Sequence, residues 1–184
     1  MEESRDIVFQ RNTVEFVTVA AEFCAFLEQS SRYTRKDFTA TMLKILPLLY
    51  LKAQMLPDEE RLSEEGLQDF VSEDSYEILR MNLSELLADK DTYLDVFVEE
   101  MKYSDTPITK NISEDLADIY QDVKNFVSLF QTGINETMHD AIIDCNSNFK
   151  EYWGQKLVNT QRALHEITYN TNPNEEEEIE NDEI

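Results

Sequence analysis

Apolar residues recur at the three- and four-residue spacing of amphipathic helices along most of this chain, and the polar positions between them mark where those helices start and stop. The clearest case begins at Ser113. Leu116, Ile119, Tyr120, Val123, Phe126, Val127 and Phe130 follow at helical spacing. Ser113 is placed to cap the first turn, Glu114 and Asp115 suit the positive end of the helix dipole, and Gly133 can take the left-handed conformation that ends a helix.

The same reading covers the rest of the chain. Asn12 and Glu15 form an expected N-cap pair for a first helix from Thr13 to Glu28, built on Val14, Phe16, Val17, Ala20, Ala21, Phe23, Cys24 and Leu27. Thr34 caps a second helix from Phe38 to Leu56, the most apolar stretch of the chain, which is expected to be central and buried on more than one side. Pro47 inside it predicts a kink, because proline removes a hydrogen bond and clashes with the carbonyl four residues back. A polar connection runs from Pro57 to Glu73, with a short helical turn at Leu67, Phe70 and Val71. Tyr76, Leu79, Leu83, Leu86 and Leu87 mark a third helix from Asp74 to Ala88. Tyr93, Leu94, Phe97 and Met101 predict a short fourth one, followed by a loop over Ser104–Asn111.

After the Ser113 helix, Asn135 caps a last helix reaching Thr168. Its broad stripe holds Met138, Ala141, Ile142, Cys145, Phe149, Trp153, Leu157, Thr160, Leu164 and Ile167. Gly154 inside that helix implies either that a neighbouring backbone comes close there or that the helix breaks at it. The expected fold is therefore all-α, an irregular bundle of about six helices with a kinked central helix. Residues 1–169 would form one domain, and residues 170–184 a disordered acidic tail, since the run through Glu175, Glu178, Glu180, Asp182 and Glu183 has too few apolar residues to fold.

Charge changes the picture of partners. A formal net charge of −23 repels nucleic acid and anionic lipid, and would attract a basic protein or cations. Neither a signal peptide nor a stretch of roughly 18 uncharged apolar residues is apparent, so a cytoplasmic location away from membranes is expected. Cys24 and Cys145 sit within apolar helical patterns and act as small hydrophobes, not as a disulfide framework.

Candidate chemistry centres on Asp115, Asp118 and Asp122, which flank the apolar face of their helix. They read either as a solvated acidic flank of an acidic protein or as like charges offset by a cation, for which Arg162, a protonated His165 or Mg²⁺ would each serve. Glu136-Thr137-Met138-His139 has the spacing of a di-iron motif, but the second copy such sites require is absent. Asp115-x-x-Asp118 matches half of the Mg²⁺ constellation of all-helical nucleotide pyrophosphohydrolases; the complementary glutamate element is missing.

Three strings carry a family resemblance: Ser113 to Lys124, Tyr152-Trp153-Gly154-Gln155-Lys156-Leu157-Val158, and Arg162-Ala163-Leu164-His165. Leu46-Pro47-Leu48-Leu49-Tyr50 fits as well. Over roughly residues 8–169, the chain resembles a bacterial all-helical family known only as a domain of unknown function. The resemblance implies an all-helical fold and a bacterial source, and rests on Asp118, Asp122, Trp153, Gly154 and His165 without giving them roles. The functional expectation is a non-enzymatic cytoplasmic interaction or regulatory protein with a basic partner and no cofactor. The alternative is a Mg²⁺-dependent hydrolase of a phosphorylated small molecule acting through Asp115, Asp118 and Asp122.

Overall fold

A computed structural model describes residues 7–95 and 108–170 of this chain. The expected tail beyond Asn170, and the expected helix at Phe97 and Met101 with the start of its following loop, lie outside the described residues. The helices are α1 (Arg11–Glu28), α2 (Arg35–Gln54), α3 (Glu73–Leu87), α4 (Ile112–Phe130), α5 (Asn135–Asn148) and α6 (Gly154–Tyr169). A π-helical turn, Phe149–Trp153, joins α5 to α6 without a break, so the described residues form five rods.

The Ser113 pattern produces the most enclosed rod. Leu116, Ile119, Val123, Phe126 and Val127 of α4 are buried, and α4 packs against α1, α3, α5 and α6. Phe16 and Phe126 meet at 5.1 Å within this core. The second helix is less enclosed than its composition suggests. α2 packs on α1 and α6 through Phe38, Met42, Leu46, Leu49 and Ala53, while Leu48, Leu51 and Met55 face solvent. The helix continues through Pro47, whose side is exposed.

Several ends differ from expectation. Thr34 caps α2 as its sequence implies, accepting a hydrogen bond from the Asp37 N–H at 3.2 Å. Asn12, however, lies in the first turn of α1, where its amide donates to the Lys52 carbonyl and ties α1 to α2. Asn135 likewise opens α5 with no capping side chain before it. Ser113 is not the cap of α4 either. The helix begins one residue earlier, and the buried carboxylate of Asp91 accepts both the Ser113 N–H and its Oγ–H at 2.7 Å. Gly133 does adopt the left-handed conformation after α4, with φ of 70°.

Two segments expected to be helical are not. Thr92–Asp95 forms strand β1, antiparallel to β2 (Ile108–Asn111), with Tyr93 opposite Lys110. Alternation between the half-buried Tyr93 and the exposed Leu94 is a strand pattern too short to stand out. The connection between α2 and α3 has no helical turn at Leu67–Val71; it is an irregular strap held by side chains from beneath. Asn125 of α4 accepts the N–H groups of Phe70 and Val71, and Asp140 of α5 accepts those of Leu62 and Ser63.

Gly154 is constrained by its own helix, not by a neighbouring one. In the π turn its N–H bonds to the Phe149 carbonyl five residues back. A Cβ at position 154 would press into that carbonyl oxygen and lie 2.9 Å from the Phe149 ring. Gly154→Ala should therefore lower stability by about 1–3 kcal/mol, although alanine favours ordinary helices by about 1 kcal/mol. A gain in melting temperature would show that the turn relaxes to an α-helix at no cost.

Candidate functional site

Asp115, Asp118 and Asp122 occupy successive turns on one side of α4, and the structure separates them into two environments. Asp115 and Asp118 share one cation. Lys156 of α6 places its ammonium 3.1 Å from Asp115 Oδ1 and 2.8 Å from Asp118 Oδ2. The hydroxyls of Tyr93, on β1, and Tyr76, on α3, donate to the remaining oxygens of Asp115 and Asp118 respectively. Tyr152, in the π turn, lays its ring 5.0 Å from the same ammonium. Two of the strings that carry the family resemblance thus meet face to face.

Neither Arg162 nor His165 supplies the cation at Asp115 and Asp118; Lys156 does. Arg162 is exposed and donates to the Leu94 carbonyl on β1, and His165 is exposed against the Tyr169 ring. At about 100° per residue, Arg162 falls about 180° from Trp153, on the side away from the core stripe. Lys156 flanks that stripe and reaches α4. Trp153 is fully buried, edge-on to Phe149 at 4.8 Å.

Electrostatics fix the protonation of this centre. Burial disfavours a charged Lys156, but the hydrogen bond and charge of Asp118 and Asp115 outweigh it and raise the lysine above its ordinary range. Burial, reinforced by the aspartates they bond, also raises Tyr76 and Tyr93. The lysine is therefore a permanent cation and the two phenols permanent donors at neutral pH. None of the three is poised as a nucleophile or base. The ammonium occupies the place between Asp115 and Asp118 that a bridging Mg²⁺ would need. Among the described residues no three Asp, Glu, His or Cys side chains converge as metal ligands.

Asp122 is different. It accepts from Asn148 of α5 at 2.7 Å and lines a cavity of about 210 Å³ beneath the strap, with Asp69, Phe126 and Cys145. Burial, then the charges of Asp118 and Asp69, push its pKa up to about 6, against the pull of Asn148. It is a group that can exchange a proton near neutral pH. A carboxyl raised from 3.8 to about 6 on folding makes the folded state relatively stable below pH 3.8 and less so above pH 6. Asp122→Asn, which keeps an acceptor for Asn148, should stabilise the protein by about 1–2 kcal/mol near pH 7.5 and by nothing near pH 4. Equal melting temperatures for the two proteins at both pH values would contradict that environment.

The Glu136–His139 pair also resolves. His139 is buried with its Nδ1 3.1 Å from Asp140 Oδ1, on the carboxylate that holds the strap, while Glu136 is exposed. Lys156, Tyr76, Tyr93, Asn148 and Asp91 had no role assigned from sequence. For Lys156 a signal existed, since it lies inside the Tyr152–Val158 string and beside the core stripe. Tyr76 and Tyr93 were visible only as apolar positions, because periodicity does not tell whether a phenol ends in the core or on a carboxylate.

Known proteins place the fold, not the activity. No curated protein matches the chain. The crystal structure of protein BF1032 from Bacteroides fragilis is similar at 53% identity, covering 91% of this chain and 98% of that one, with a TM-score of 0.81. A family model described as a domain of unknown function, DUF5063, matches residues 7–170, essentially the whole helical bundle. The chain accordingly belongs to the DUF5063 family.

Proposed function

We propose that this is a non-enzymatic cytoplasmic interaction protein of bacterial origin, and that it captures a basic, amphipathic segment of another protein on the outer face of α3. The observation that carries this reading is the composition of that face. Ile78 and Met81 are 62% and 52% exposed one turn apart, and the exposed Glu73, Asp74, Glu77 and Glu85 surround them. Glu114, at the start of α4, adds its charge beside Arg80. A helix with apolar residues on one stripe and Lys or Arg on its flanks matches this arrangement in both shape and sign. The polar centre under Tyr152 supports the same reading, because its carboxylate oxygens are taken up by Lys156, Tyr76 and Tyr93 and it acts as the joint that holds α3, α4 and α6 in place. The hydrolase alternative draws less support, since Lys156 bridges two of the three aspartates it would need and fills the place between them. No helix among the described residues is long and apolar enough to cross a membrane.

The test is a titration with a synthetic Lys/Leu amphipathic helix. Binding should weaken as salt rises, and the neutral pair Ile78→Ser and Met81→Ser should weaken it by about tenfold or more without changing the net charge. Equal affinity for both proteins would reduce the interaction to charge alone and reject the site.

A further inference from the structure

We infer that the solvent face of α2 is a two-fold interface with a second copy of this chain. Phe38 to Pro57 is the longest stretch without an acidic residue in a chain of net charge −23. Within it, Leu48, Leu51 and Met55 are 44%, 53% and 55% exposed, and the exposed Lys44 continues the same stripe one turn earlier. Two copies repel each other wherever their acidic surfaces meet, so the acid-free face is where they can approach most closely.

The spacing lets two copies of this face meet about a two-fold axis. Positions 44, 48, 51 and 55 are separated by four, three and four residues, a palindrome. A two-fold axis between Leu49 and Tyr50 therefore sets Leu48 of each copy against Leu51 of the other, and Lys44 against Met55. The helices cross antiparallel with their leucines at the centre. Lys44 of each copy approaches the end of α2 in the other, where Asp58, exposed although it also holds Lys150, and the exposed Glu60 follow in sequence, so cation meets acid at both ends. Glu15 already neutralises Lys52 beside the stripe, which keeps like charges from facing each other near the axis.

Sedimentation of the full chain tests this. The protein should be a dimer that tightens with salt, as screening removes the repulsion between acidic copies. Leu51→Glu should give a monomer with unchanged helicity. The double variant Leu48→Cys and Leu51→Cys should oxidise to a covalent dimer, since Cys24 and Cys145 are buried and burial raises both thiols far out of the reactive range. A chain that stays monomeric at high salt and high concentration would overturn the inference. So would a dimer that survives Leu51→Glu, or one that the paired cysteines fail to cross-link.

Discussion

Lys156→Met should destabilise the protein by about 3–5 kcal/mol, the largest loss expected for any single change at the polar centre. The side chains of Asp115 and Asp118 are 3% and 13% exposed, so water cannot replace the lost ammonium. Tyr93 and Tyr76 would still donate one hydrogen bond to each carboxylate, but a phenol carries no charge. Adding Asp115→Asn and Asp118→Asn to Lys156→Met should recover much of the loss near neutral pH. At about 2–4 °C per kcal/mol, the single variant should melt about 10 °C lower. A loss below about 1 kcal/mol would mean that the bridge behaves as an exposed surface pair.

Asp91→Ala should cost about 2–4 kcal/mol, for a different reason. Its carboxylate satisfies the buried Ser113 N–H and hydroxyl at the start of α4, and also accepts the Ser84 hydroxyl of α3 at 3.0 Å. Alanine leaves those donors buried and unpaired and removes the link between two helices. Asp91→Asn retains an acceptor oxygen and should lose clearly less. Equal losses for both variants, in thermal or urea unfolding, would show that the charge of Asp91 matters more than its hydrogen bonds.

These two residues also show where sequence reasoning reached and where it stopped. The bundle was legible because its information is local: α4 buries the stripe that its spacing marks, and Thr34 and Gly133 act where they stand. Asp91 was not legible as a cap, because it lies twenty-two residues before the N–H it satisfies. Longer separations, of 55 and 78 residues, hid Asn125 and Asp140, whose side chains hold a strap belonging to another part of the chain. The π turn did leave a trace. Cys145, Phe149, Trp153 and Leu157 are spaced by four three times running, which in an α-helix would drift by about 120°. All four are buried, so the wider turn takes up that drift, and Gly154 is the residue that permits it. The wheel also contained the evidence against Arg162. What it could not supply was the partner of Lys156 across the bundle.

On the proposed function, the polar centre is structural and the surface of α3 recognises the partner. Amide chemical-shift mapping during titration with the basic amphipathic helix separates the two most directly. The largest perturbations should follow the solvent face of α3 from Glu73 to Glu85, while Asp115, Asp118 and Lys156 shift little. Perturbations centred on Asp122 and the cavity beneath the strap, or spread evenly over every acidic surface, would contradict it.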